Sequence, residues 1–270
     1  MILLLLILAT LGAGMNYSDY LGRNISLPLS AALYSPNPYK CLKRRLKASE
    51  ATMDASFSGL IVTKSKNKDV ALSFRANLPD PYSPESWNKS YLPLKKWEHE
   101  GKVSSFLAEG CKDLWLGVMR KRFQNIVKNA KTKEVLITGH YLGGALAALV
   151  ALDIVKGDLV KNDSVTVITL GQMMVGDKEF AKAYEEKIEN SFRVVHKLDL
   201  ISLVPSEENG YAFNGNEVLY DKIGMQMNGT TGYKICKQNE CSGKQIRPLN
   251  STQNDVYFKK NVTTYGMKCI

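Results

Sequence analysis

Glu134-Val-Leu-Ile-Thr138 runs directly into Gly139-His140-Tyr141-Leu142-Gly143-Gly144 and then into an Ala/Leu-rich stretch that ends near Lys156. The first segment is a short, apolar, β-branched run without polar alternation, the pattern of a strand buried on both faces. The glycines permit a sharp turn and a close approach of backbone to backbone. The third segment has helical composition. The pattern recurs downstream as a strand over Ser164–Leu170, a helix over Lys178–Ile188 and a strand over Phe192–His196. Upstream, Ser58–Val62 and Asp69–Phe74 read as strands, and Gly101–Lys128 reads as a long amphipathic helix. Tyr17–Tyr39 is polar and Pro-bearing, with a short helical stretch over Leu27–Tyr34, and Asn77–Lys95 reads as a long loop. Strands alternating with helices predict an α/β fold, a mainly parallel sheet with helices on both faces.

A strand, a glycine-flanked turn and a helix make up the nucleophile elbow of α/β-hydrolases. There the central residue of Gly-x-Ser-x-Gly presents its hydroxyl above the helix N-terminus. The context is complete here, but the central residue is Tyr141. Gly139-His140-Tyr141-Leu142-Gly143-Gly144-Ala145 resembles the Gly-His-Ser-Leu-Gly-Gly-Ala of the class 3 (fungal-type) lipases, with Tyr in place of Ser. Gly171-Gln-Met-Met-Val-Gly176 resembles that family's Gly-Gln-Pro-Arg-Val-Gly, and Phe192-Arg-Val-Val-His-Lys-Leu-Asp199 its aspartate-bearing segment. Ser73-Phe-Arg-Ala-Asn77 is similar to its oxyanion strand, and Asn254-Asp-Val-Tyr-Phe258 to its His-x-x-Tyr-Phe. The landmarks run in order over most of the chain and most resemble the secreted animal members.

The resemblance implies that Tyr141 stands where the nucleophile would be, Asp199 keeps the orienting carboxylate, and Asn254 replaces the general base. It also implies that the backbone N–H groups of Asn77 and Leu142 are the oxyanion donors. The loop from Asn77 takes the lid's place, with Trp87, Tyr91 and Leu92 as the residues to meet an interface. His99, His140 and His196 are the only histidines, and none follows Asp199. A hydroxyl attacks an ester only when a base takes its proton. Asn has no titratable site, and a phenol with an ordinary pKa of about 10 needs strong activation. Losing either the serine or the histidine of a serine hydrolase costs roughly a millionfold in kcat. The expectation is a catalytically inactive lipase-fold protein that binds a lipid or a partner protein; the alternative is a weak ester hydrolase. Asp199 could equally be a structural cap, Tyr141 a filler of the old acyl site, and Asn254 a local hydrogen-bonding residue.

The 270 residues, 44% hydrophobic and 23% charged, suit one large domain, expected over 15–270. Residues 1–14 are Ile- and Leu-rich and end in small residues, the layout of a secretory signal peptide cleaved after Gly14. Seven sequons, at Asn16, Asn24, Asn88, Asn162, Asn228, Asn250 and Asn261, fit a glycosylated extracellular protein. The five cysteines fit an oxidising compartment. Cys236 with Cys241 is the nearest pair, and Cys41 with Cys269 a second. Cys111 remains as a buried thiol on a helical stripe with Leu107, Leu114, Trp115, Val118 and Phe123. The net charge of +10 suits either an anionic lipid surface or scattered solvated lysines. No zinc-type cluster, P-loop or dinucleotide fingerprint occurs, so neither a metal nor a cofactor is expected, and nucleic acid is an improbable partner.

Overall fold

The computed structural model describes residues 17–43, 48–53, 56–64, 69–78, 87–130, 132, 134–197, 199–221, 225, 232–241 and 254–268. The leader 1–14, Asn16, Asn228, Asn250 and Cys269 lie outside the described residues, as do the side chains of Trp87 and Asn88.

The strands are β1 (Ala48–Met53), β2 (Phe57–Lys64), β3 (Asp69–Ala76), β4 (Leu94–Lys96), β5 (Lys102–Ser104) and β6 (Val135–Gly139). They continue as β7 (Val165–Leu170), β8 (Ser191–His196), β9 (Asn216–Tyr220), β10 (Tyr233–Lys237), β11 (Val256–Tyr257) and β12 (Lys260–Asn261). Eight form the main sheet in the order β1-β2-β3-β6-β7-β8-β9-β10, while β4-β5 and β11-β12 form two small hairpin sheets. Pairing is parallel from β3 through β6, β7 and β8 to β9, and antiparallel at both ends. The α/β expectation holds. β6, β7 and β8 are buried at every position, as the inner strands of a parallel sheet covered on both faces are.

The helix after the turn, Leu142–Lys156, is buried from Leu142 to Val155, so it is apolar all round rather than amphipathic. Two glycines let it sit close to the sheet. A Cβ on Gly143 would lie 2.1 Å from the Phe74 carbonyl oxygen, and one on Gly139 would lie 2.3 Å from the Gly143 backbone.

The chain from Ser105 to Ala130 is helical as expected, but it starts later than the pattern suggested. Gly101 has φ +69°, and Lys102–Ser104 pairs with β4, so the helix begins at Ser105. Its middle, Cys111–Met119, winds as a π-helix. The wider turn slips the apolar stripe by one residue. Leu107, Cys111, Leu114, Trp115 and Phe123 are buried, whereas Val118 is 38% exposed and Met119 is buried in its place. The segment expected to be one long loop after Asn77 contains a helical turn, Trp87–Tyr91, and leads into β4 at Leu94. Cys236 and Cys241 form the expected disulfide, Cys41 is disulfide-bonded, and Cys111 is a free, buried thiol.

The close approach at the turn generates a prediction. A methyl group at Gly143 meets the backbone of Phe74 and Arg75, which cannot rotate away. Gly143→Ala should therefore lose about 1–3 kcal/mol or more in urea unfolding. Gly117→Ala, on the exposed side of the long helix with only the Lys112 carbonyl oxygen at 3.4 Å, should be neutral or stabilising by up to about 1 kcal/mol.

Candidate functional site

The site lies at the C-terminal end of β6, where the chain reverses into the Leu142–Lys156 helix. Tyr141 makes the turn at φ 50° and ψ −113°, a conformation that side chains rarely adopt. Its N–H donates to the Leu170 carbonyl (3.0 Å), and its carbonyl accepts from the Ala145 N–H (3.0 Å), so both neighbouring elements hold the strained residue. This is the elbow geometry with a phenol at its apex. The ring stacks on His140, with centroids 3.8 Å apart, and packs against hydrophobic clusters on both sides of the sheet.

The structure brings two of the expected positions, Tyr141 and Asp199, together, with Tyr257 as the third side chain. A Cβ on Gly171 would lie 2.5 Å from Tyr141 Cε1, 2.5 Å from the Tyr257 hydroxyl and 2.6 Å from Asp199 Oδ2, so these side chains converge on that glycine. Gly171 has φ +58°, a second reason that only glycine fits. Asp199 is fully buried. Its Oδ1 accepts from the N–H groups of Ile201 (3.0 Å) and Ser202 (3.3 Å), and its Oδ2 accepts from the Tyr257 hydroxyl. Asn254 Oδ1 accepts from the Leu200 N–H (3.1 Å) and thus caps the residue beside the aspartate.

The oxyanion expectation needs one correction. The Asn77 N–H donates to the Ser56 carbonyl at 2.9 Å, because the β2–β3 pairing continues one step past Phe57–Ala76. That donor is committed to the sheet. Leu142 is the first residue of the helix, within the turn whose N–H groups lack intrahelical acceptors. The expected interfacial role of Tyr91 is also corrected. Tyr91 is fully buried, donates its hydroxyl to the Met174 carbonyl (2.7 Å) and stacks on Tyr211.

The electrostatics disfavour a nucleophile. Burial, and next the Asp199 carboxylate, push the Tyr141 phenol well above its ordinary pKa, so it stays protonated. Its hydroxyl is buried with no hydrogen-bond partner among the described residues. His140 is 2% exposed, and its Nδ1 shares a hydrogen bond with the Tyr34 hydroxyl (2.9 Å). Burial lowers its pKa to about 3, so the imidazole is neutral. Its Nε2 lies 3.3 Å from Asp255 Oδ1 but out of line for a hydrogen bond. His196 packs edge-on to Tyr257. The motif match marked Tyr257 without assigning it a role, and nothing in the sequence marked Tyr34, 106 residues from its histidine.

Residues 73–209 match the family model described as Lipase (class 3). The chain belongs to the class 3 lipase family. A lipase of Caenorhabditis elegans is 30% identical over 66% of this chain and 53% of its own length. A lipase of Rhizopus niveus is 27% identical over 76% of this chain and 51% of its own. The chain thus spans about half the length of the curated relatives it matches. Among solved structures, lipase II from Rhizopus niveus superposes with a TM-score of 0.74 at 20% identity, covering 92% of this chain and 97% of that one. A triacylglycerol lipase whose catalytic centre is a serine protease triad superposes equally well, at 18% identity over 93% of this chain and 98% of that one. These structural likenesses establish the α/β-hydrolase fold of the fungal lipases.

His140 supplies a pH prediction. Its native pKa of about 3 lies below the value of about 6.5 it would have when unfolded, so the unfolded chain takes up the proton first. The stability contributed by the neutral imidazole is complete above about pH 6.5 and falls as pH drops towards 3, by about 1.4 kcal/mol per pH unit. His140→Asn should flatten the acid limb of the stability curve by that slope, read from urea unfolding at pH 6, 5 and 4.

Proposed function

We propose that this chain is a secreted, catalytically inactive member of the class 3 lipase family that binds a lipid or a protein partner. The observation that carries the reading is Tyr141 at the elbow apex. Its phenol is held protonated beside Asp199, and Asn254 occupies the position where the family's base would stand. Tyr257 and the backbone N–H groups of Ile201 and Ser202 satisfy Asp199, so the carboxylate now ties β11 to the segment after β8. The three described histidines do not supply a substitute base. His140 is held neutral and stacked, His99 bonds to Asp153, and His196 packs against Tyr257.

The leader composition, the sequons and the Cys236–Cys241 disulfide support export. Asn24, Asn162 and Asn261 are exposed, as glycosylation acceptors in a folded extracellular protein need to be. A second reading is a weak carboxylic ester hydrolase in lipid metabolism. It is favoured by the relatives' names, which are lipases and, in rice, phospholipases A1-II.

Hydrolysis of short- and long-chain p-nitrophenyl esters, with fluorophosphonate labelling in parallel, separates the two. Wild type should remain at background, while Tyr141→Ser/Asn254→His should gain labelling or turnover. Saturable, inhibitor-sensitive hydrolysis by wild type that disappears in Tyr141→Phe would sink the inactive reading and establish the second.

A further inference from the structure

Asp153 is the one acidic residue of the Leu142–Lys156 helix, and it is 3% exposed. One of its carboxylate oxygens is fixed by two donors from the long helix. Oδ2 accepts from Trp115 Nε1 (2.7 Å) and from Arg120 Nε (2.9 Å). The other, Oδ1, faces His99 Nε2 at 3.2 Å. Glu98 stands beside them, so that one ligand atom from each of Glu98, His99 and Asp153 lies within 4.8 Å of the others.

We propose that His99, Asp153 and Glu98 form a divalent transition-metal site of the zinc type, with His99 Nε2 and Asp153 Oδ1 as the inner pair. Zinc takes imidazole nitrogen and carboxylate oxygen at about 2.0–2.1 Å in tetrahedral geometry, which sets neighbouring ligand atoms about 3.3 Å apart. The observed 3.2 Å separation already matches that edge. Metal-ligating carboxylates are usually oriented by outer hydrogen bonds, and Trp115 and Arg120 supply these on the far oxygen, so that a cation would replace only the His99 contact to Oδ1. His99 is partly accessible, with its ring edge-on to Trp97, and Glu98 is exposed, so a cation has a route in from solvent. Glu100 is turned away to Lys156 at 3.6 Å. A bound ion would clip the loop between β4 and β5 to the elbow helix and, through Trp115 and Arg120, to the long helix. His99 and Asp153 are 54 residues apart, so no ligand spacing in the sequence announces the site.

The chain has only three histidines, and the other two are buried, so an untagged protein gives a low background for metal binding. Zinc and cobalt are titrated into the EDTA-stripped full chain, followed by calorimetry, by visible cobalt absorption and by thermal melting. The expected result is one equivalent bound, a cobalt spectrum of tetrahedral type, and a rise in Tm that EDTA reverses. His99→Gln should weaken binding by tenfold or more while leaving the metal-free Tm close to wild type, and Glu98→Gln should weaken it less. Absence of saturable one-to-one binding overturns the proposal. Unchanged affinity in His99→Gln overturns it too, and if that variant folds poorly, unchanged affinity and an unchanged cobalt spectrum in the exposed Glu98→Gln variant do so instead.

Discussion

The contact on which the rest of the structure depends is backbone against backbone. Gly143 lies against Phe74 and Arg75, and Gly139 lies against Gly143 and Gly144. With side chains at those positions, the elbow helix would be pushed off the sheet and Tyr141 would lose the two hydrogen bonds that hold it at φ 50°. The strain at Tyr141 belongs to the scaffold, because it follows from how β6 and the helix meet. A strained residue persists only where the surroundings over-determine it. Here they do so with a tyrosine at the apex.

The buried polar groups near the elbow need partners, since a buried group without one costs about 1–3 kcal/mol. Asp199 receives two backbone N–H groups and one phenol; Asn254 caps Leu200. These bonds join the segment after β8 to β11, two pieces of chain that the main sheet does not connect. The carboxylate is thus part of the tertiary structure, which is reason enough for an aspartate at this position without invoking catalysis.

The centre of the fold was legible in the sequence because its signals are local. β6, the elbow, the helix after it, β7 and β8 appear as short strand-like runs, a glycine-flanked turn and an Ala/Leu-rich stretch, within a few residues of their observed bounds. The edges were not legible. β9 and β10 were missed because Asn216-Glu-Val-Leu-Tyr220 and Tyr233-Lys-Ile-Cys-Lys237 are short, carry charge and owe their strand state to pairing with each other and with β8. Val118 was misplaced because a π-helical stretch changes the period that the stripe was read with. At the site, the triad positions could be read by motif, but their partners could not. The Tyr34–His140 contact and the link from Asp153 to His99 and Trp115 each join residues distant in sequence. The Asn77 donor was misjudged for a related reason, since its loss depends on one additional rung of β pairing to Ser56.

Two buried carboxylates of the core, Asp153 and Asp199, are satisfied in different ways. Asp153 is balanced by a cation, Arg120, and by two further donors. Asp199 accepts from the Ile201 and Ser202 N–H groups and from the Tyr257 hydroxyl, which are neutral donors. In a working triad the aspartate's charge is matched by the imidazolium that forms as the serine attacks. Burial first, and then the Asp199 charge, raise the pKa of Tyr141 and of Tyr257, making each a poorer source of the anion that attack requires. A hydroxyl nucleophile at this elbow is useful only with a base between it and Asp199. The Tyr141 ring at the apex instead fills space and packs tilted against His140.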